Sequence, residues 1–446
     1  MKLMLATPLL LFSLNALSAA SLSTKISHHY DSMRALGMGN AFTAVADDYS
    51  LIYYNPAGFA NKKANEVQIT LAGAGASTKT LKLVDDIKKS SNIQGTDAQK
   101  AEAISTVLED YYGKALGGKV QALEMFWIRK NWGISLLPAD VSIDMTIDRQ
   151  LGPSVDLNVK ADTTLAYGYG TQISKYLSVG MTTEVVHRVS VEQSVSALEL
   201  ASDSNILSLK RAKEGNLIDF DLGFLWTPNW FGRTSVKEEQ PVGLKVESKL
   251  PPASNEKKVE KREPQSEIAQ SEDASGDLTL SDEKVADKSE PAKPVIIETF
   301  KDNLPLTFGL TVHNVLGGSF SKSKLVNKEA TETPTKMYRV IDVGSQYVLT
   351  ELGDLTIRSM IDFRDMLHPE VTFNKSFHAG VEFDYSPSGW FKTQLRGGVN
   401  QMYYTAGVTL LLGVLNIDAV TYGEEVGTPS NKLENRVYAA KIGFNF

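Results

Sequence analysis

From residue 66 to its C-terminus the chain repeatedly alternates apolar and polar residues, and the polar side carries charge. Phe377, Ala379, Val381, Phe383 and Tyr385 oppose His378, Glu382 and Asp384. Leu355, Ile357, Ile361 and Phe363 oppose Arg358, Asp362 and Arg364, and Ile218, Phe220, Leu222, Phe224 and Trp226 oppose Asp219 and Asp221. Val155, Leu157, Val159, Leu165, Tyr167 and Tyr169 oppose Asp156, Asn158, Lys160 and Asp162. A period of two places successive side chains on opposite faces of a β-strand. Charge so regular on one face needs water on that side. The apolar face needs either a second sheet or lipid.

Residues 1–20 bear on that choice. Lys2, a mostly apolar stretch over 3–17, and the small residues Ser18, Ala19 and Ala20 read as a secretory signal. No later run is apolar enough, for long enough, to cross a membrane as a helix. A secreted chain with lipid outside its strands and water inside fits an all-β transmembrane barrel. In the last strand Tyr438, Ala440, Ile442, Phe444 and Phe446 share a face, and its Phe-Asn-Phe end resembles the assembly signal of bacterial outer-membrane barrels.

The alternation predicts about fourteen antiparallel strands within a barrel spanning 65–446, running from 66–75, 119–129 and 132–143 to 436–446. Lys130-Asn131, Ser174-Lys175, Glu351, 386–389 and Leu412-Gly413 are tight connections of one parity, which assigns them to the periplasmic end. The other connections are mostly longer. The one at 76–118 is expected to be a partly helical extracellular loop, with Ile104, Val107, Leu108, Tyr111 and Tyr112 on a helix-like stripe. Trp127, Trp132, Trp226, Trp230 and Trp390 all fall at strand ends of periplasmic parity, where an interfacial girdle would sit. Residues 234–294 are rich in Lys, Glu, Asp, Ser and Pro and read as a disordered periplasmic insertion. The sharper alternative is a tether to the cell wall or to a periplasmic protein.

Ahead of the strands, 21–64 reads as a compact helical plug. Its centre is dense in Gly, Ala and small polar residues and carries the pair Asp47 and Asp48. Gly37 and Gly39 allow close packing in a narrow lumen, Asn55 can cap a helix, and Pro56 suits a first turn. The two aspartates can meet lumen cations, the candidates being Arg358, Arg364, Arg396 and Lys392. Arg34-Ala35-Leu36-Gly37-Met38-Gly39, Ala44-Val45-Ala46-Asp47-Asp48 and Tyr54-Asn55-Pro56-Ala57-Gly58 resemble the N-terminal signature of the FadL superfamily of outer-membrane barrels. Those are long-chain fatty-acid and hydrocarbon transporters with PorV-like relatives. The resemblance implies that Asn55, Pro56 and Ala57 belong to a hatch. It also implies a kink in the third strand that opens sideways to lipid, for which Pro138 is the candidate, because proline removes a ladder donor. A strand that simply ends at the rim there is the alternative.

The chain has no cysteine, which excludes disulfides and thiolate sites, and its net charge of -7 argues against nucleic-acid binding. The six histidines show no metal-like spacing, and His28-His29 fall in what reads as a flexible N-terminus. Neither GxSxG nor HExxH occurs. The expectation is therefore a non-enzyme without cofactor or metal, in the bacterial outer membrane. It would pass a hydrophobic, fatty-acid-like ligand under control of the hatch. The alternative is a PorV-like scaffold that holds periplasmic or cell-surface protein partners and transports nothing; polar strand faces favour it.

Overall fold

The computed structural model describes residues 25–148, 154–202, 211–231, 233–240, 295–302, 305–428 and 432–446. The signal sequence expected at 1–20 lies outside them. The chain divides into two compact units, Met1–Trp230 with Leu304–Phe446, and Phe231–Asn303.

The first unit is a closed barrel of fourteen antiparallel strands. They are β1 (Glu66–Ser77), β2 (Leu116–Arg129), β3 (Trp132–Asp148), β4 (Ser154–Ser174), β5 (Leu177–Ser196), β6 (Lys213–Trp226) and β7 (Leu306–His313). The rest are β8 (Val340–Leu352), β9 (Leu355–Met366), β10 (Phe377–Ser388), β11 (Phe391–Asn400), β12 (Tyr403–Leu412), β13 (Leu415–Glu425) and β14 (Glu434–Asn445). Each pairs with its sequence neighbours. The ring closes where β14 meets β1, with Ile69 opposite Phe444. Across the long insertion β6 still pairs with β7, Leu222 opposite Val312. Closure leaves no unpaired edge, which is what a strand needs inside lipid.

The side chains sort as the alternation demands. Leu165, Tyr167, Tyr169, Ile361, Phe383 and Ile442 are exposed on the outer wall, while Asp219, Asp221, Asp362 and Glu382 are buried in the lumen. So continuous an apolar exterior is stable only against lipid. Short turns crowd one end, where Trp127 packs on Trp132 at 5.2 Å and Trp226 on Trp230 at 5.4 Å between ring centres. A closed, even-stranded barrel with this band and girdle is the architecture of a multi-pass bacterial outer-membrane protein.

At the other end, helices α3 (Thr78–Ser91) and α4 (Asp97–Glu109) fill the connection between β1 and β2. With α5 (Ala197–Ser202) they cover the extended ends of β3 and β4. Leu83, Ile104, Leu108, Tyr111, Ile147 and Val155 form the apolar core of this cap. Val155 thus packs under helices rather than against lipid, because β4 outruns the membrane band.

Pro138 sits in the interior of β3, so the strand does not end there. Between β3 and β4 the register jumps from Leu137 opposite Thr164 to Asp140 opposite Asp162. The pairing also skips Leu123 in β2 and Leu71 in β1, and both leucines are exposed on the outer wall. Leu123 has a positive φ of 55°. The register shifts only at Leu71 against β14 and between Leu137 and Asp140 against β4; β1–β2 and β2–β3 keep theirs across the missing pairs.

In the second unit, Arg233–Gln240 pairs antiparallel with Val295–Asp302. The stretch 234–240, expected in an unstructured insertion, is therefore strand. Residues 241–294 lie outside the described residues.

Candidate functional site

Residues 25–65 run through the lumen from end to end. Lys25 lies toward the helical end, 3.1 Å from both Asp144 and Glu424. Lys62 lies at the short-turn end, ion-paired with Glu66 at the start of β1. The plug is less helical than expected. It contains only α1 (Met33–Gly37), α2 (Leu51–Tyr54) and a 3-10 turn over Pro56–Asn61. The interruptions have a cause: Gly39, Asn40 and Ala46 all have positive φ, at 69°, 63° and 33°. These bends let the chain fold on itself around Phe42, Leu51, Ile52, Tyr54 and Phe59, all buried. Tyr30, Tyr49 and Tyr53 gather on Phe126 of β2, with ring centres 4.7–6.3 Å apart.

The wall receives the plug at glycines. A Cβ on Gly180 would lie 2.3 Å from the Pro56 carbonyl oxygen, and one on Gly223 would lie 2.2 Å from Asn55 Oδ1. Gly309 and Gly380 stand in the same relation to Thr43 and Met38. Several of these glycines face one another across strands: Gly133 with Gly168, Gly170 with Gly180, Gly180 with Gly223, Gly309 with Gly344, and Gly380 with Gly398. Within the plug, Gly58 is required because a Cβ there would meet the Ala46 carbonyl oxygen at 2.1 Å.

Polar contacts then fix the plug's register. Asn55 accepts from the Ala57 N–H at 3.1 Å, and its amide donates to the carbonyls of Thr43 at 2.8 Å and Phe224 at 3.0 Å. Pro56 and Ala57 follow it into the wall's glycine groove. Asp362 accepts from the Phe42 and Thr43 amides at 2.8 and 2.7 Å. Thr182 and Thr311 of the wall donate to the carbonyls of Ile52 and Tyr54.

An ionic latch joins plug to wall. Arg34 grips Glu382 with two bonds of 2.7 and 2.8 Å, and reaches Asp47 at 2.5 Å and Asp48 at 3.1 Å. Arg358 bonds Asp47 at 2.6 Å and lies 3.4 Å from Glu382, while Arg396 bonds Glu382 at 2.9 Å. Of the four candidate lumen cations, only Arg358 meets a plug aspartate. Arg364 pairs with Asp342 at 2.8 Å, Arg396 with Glu382, and Lys392 with Asp384 at 2.8 Å. Each of these three finds its carboxylate on an adjoining strand, where register delivers it. Arg364 still touches the plug through the Asn40 carbonyl at 3.1 Å. Asp48 turns mainly to its own loop, accepting from the Ser50 amide and hydroxyl at 2.8 and 2.6 Å.

The leading segment is anchored as well. His28 and His29 are half-buried in the lumen rather than free. His28 Nε2 lies 2.8 Å from Asp365 and Nδ1 3.4 Å from Asp31. His29 Nε2 lies 2.9 Å from Asn314 Oδ1 and Nδ1 3.2 Å from Glu184. Burial works against protonation of His28, yet the Asp365 carboxylate and the bond to Asp31 prevail and hold its pKa up at about 9.

Among the described residues, several cavities border the plug. One of about 280 Å³ touches Arg34, Asp47, Arg358, Lys392 and Asp418. A wider one of about 640 Å³ opens at the short-turn end beside Ala44, Asp47 and Lys62. Toward the helical end lie cavities of about 70 and 150 Å³, reached by Lys25, Asp144 and Glu424 and by Lys160, Arg188 and Lys336. Polar and charged groups dominate three of these linings, the widest is about evenly polar and apolar, with Val45, Leu225 and Val348 in it, and Pro138 lines none of the four. Among the described residues no group of three or more His, Asp or Glu is placed to hold a metal ion.

No family model matches the chain, and no curated protein matches it. Among solved structures it is similar to a Pseudomonas aeruginosa FadL homologue, at 10% identity over 92% of this chain and 96% of that one, with a TM-score of 0.38. It is similar to the Ralstonia pickettii toluene transporter TbuX at 9% identity over the same shares, with a TM-score of 0.39. The Pseudomonas putida toluene transporter TodX matches at 8% identity over 95% and 99% of the two chains, with a TM-score of 0.38.

Sequence inspection missed three things: Glu382 as the hub of the latch, the anchoring of His28 and His29, and the glycines of the wall. The glycines left a readable signal, since they recur at inward-facing positions on successive strands.

Proposed function

We propose that this protein passes hydrophobic small molecules of fatty-acid type across the outer membrane, and that the N-terminal plug is its gate. The observation that carries the reading is the mode of closure. The plug fills the lumen through noncovalent contacts alone, and cavities flank it on both sides. A solute therefore advances only if the plug shifts or the wall opens. Asn55, Pro56 and Ala57 are the hatch, because their contacts with Gly180, Gly223 and the Phe224 carbonyl break first when the plug withdraws toward the short-turn end. The interruptions in pairing at Leu71, Leu123 and Pro138 support a side exit to lipid, since the ladder is already broken there.

The charged cavity linings favour a second reading, a scaffold barrel that holds a protein partner and transports nothing. Uptake of a fluorescent fatty acid into proteoliposomes tests both. The transport reading expects uptake by the intact protein, a large increase on deleting 25–61, and a loss with Pro138→Val. No uptake by either the intact or the plug-deleted barrel, with both correctly folded, would leave the scaffold.

A further inference from the structure

We infer that His28 and His29 form a proton-operated fastener that pins the leading segment of the plug, Lys25 to Ser32, to the barrel wall. The argument starts from the hydrogens. The Asn314 amide nitrogen donates to the Tyr338 carbonyl at 3.1 Å, so Asn314 Oδ1 is the atom facing His29. An oxygen of that kind only accepts, so His29 Nε2 carries a hydrogen. The neutral ring then offers a lone pair at Nδ1, and that lone pair faces the Glu184 carboxyl at 3.2 Å. Two acceptors cannot bond each other. A bond between them needs one further proton, and because burial lowers the His29 pKa that proton belongs on the carboxyl, as imidazole with carboxylic acid. At 3.2 Å neither His29 Nδ1 nor either Glu184 oxygen makes a hydrogen bond, and Glu184 is only 2% exposed, so the contact is a buried polar pair that a proton would complete.

His28 is constrained the same way by different means. Its two nitrogens face two carboxylates, Asp31 in the plug and Asp365 at the end of β9. Only the doubly protonated ring can donate to both. The surroundings are mixed. Lys119 also holds Asp31, Arg364 lies beside Asp365 and opposes the charge, and His368 is close. Around His29 stand Asp221, Asp162 and Arg188, while His313 bridges Asp221 and Asp342 behind Glu184.

The direction follows by linkage. His28 is held at about 9 in the docked plug against its ordinary 6.5. Its contribution is complete below pH 6.5 and is lost as pH rises through 9. Between those two values docking weakens about tenfold per pH unit for one released proton, and above 9 it changes no further. The fastener is thus tightest in acid, loosens from neutral pH upward and is fully released above about pH 9. Arg34 does not titrate in this range, so the segment ahead of α1 comes free before the rest of the plug.

The chain has no cysteine, so Ser32→Cys supplies a single reporter at a position that is 0% exposed and whose hydroxyl bonds nothing. Its labelling by a thiol reagent in the full-length barrel is measured from pH 6 to 10.5 and divided by the rate for the unfolded protein, which removes the titration of the thiol itself. The ratio is expected to be flat below about pH 6.5, to climb toward tenfold per unit between about pH 7 and 9, and to level off above that. His28→Lys keeps a cation between the two carboxylates and should hold the ratio flat to about pH 10. His28→Gln together with His29→Gln should raise it already at pH 7. Heat-modifiable gel mobility checks that each barrel is folded. The same alkaline climb in His28→Lys as in the parent, or no climb in the parent, would overturn the inference.

Discussion

Replacing Glu382 by Gln should unlatch the plug while sparing the barrel. Three guanidinium groups, Arg34, Arg358 and Arg396, converge with three carboxylates, Glu382, Asp47 and Asp48, so the cluster is balanced at three against three. Glu382 lies at its centre, fully buried, and touches all three cations. Without its charge the count becomes three against two, and the amide offers Arg34, Arg358 and Arg396 one acceptor oxygen where the carboxylate offered two. Removing one partner of a buried pair costs about 3–5 kcal/mol. A Coulomb term of about 4 kcal/mol for charges ~4 Å apart at an effective dielectric of 20 gives the same scale. The undocked state escapes most of this cost, because water then enters the lumen and solvates the guanidinium groups. Docking should therefore weaken by roughly two to three and a half decades, at about 1.4 kcal/mol each. The assay is the Ser32→Cys labelling ratio at pH 7, read beside single-channel conductance in planar bilayers. Both should rise in Glu382→Gln. Adding Arg396→Gln restores a balance of two against two and should recover part of the loss, a coupling that independent sites would not show. Unchanged labelling and conductance in a folded Glu382→Gln barrel would refute the latch.

Other perturbations probe separate contacts. Gly180→Ala or Gly223→Ala places a Cβ within 2.3 Å of Pro56 or Asn55, so each should leave a heat-stable barrel with raised conductance. Asn55→Ala removes the Ala57 cap bond and two bonds to carbonyls; at about 1 kcal/mol per bond it should raise plug labelling by one to two decades without altering gel mobility. Lys441→Met leaves buried Glu124 without its 2.8 Å partner and removes the 3.1 Å bond to Tyr30 of the plug, so it should lower the barrel's melting temperature and raise plug labelling together.

The strands were legible because their cause is local. Alternation at Phe377–Tyr385 or Leu355–Arg364 records which side of a strand meets lipid, and no distant contact is needed to read it. The latch was illegible for the opposite reason. Arg34 and Glu382 lie 348 residues apart, and Phe42 and Asp362 lie 320 apart. Nothing in either neighbourhood says which lumen carboxylate faces which turn of the plug. Assigning Arg364, Arg396 and Lys392 to the plug aspartates failed because wall carboxylates opposite them or within two positions in register already satisfy them. The histidines were misread through position alone: a segment close to the N-terminus reads as free until the lumen around it is known.

Two kinds of contact hold the plug, and they answer to different perturbations. Small residues against wall glycines depend on shape and change little with pH or salt. The Arg34–Glu382 cluster and the His28–Asp365 pair depend on charge, and each is undone by one titration or one substitution. Withdrawal toward the short-turn end must break both kinds, but only the second can be switched without rebuilding the wall. A gate built this way is seated by its backbone and released by its charges. The sealing glycines and the releasing ion pairs should therefore separate cleanly by assay, the first altering conductance at every pH and the second changing how conductance depends on pH.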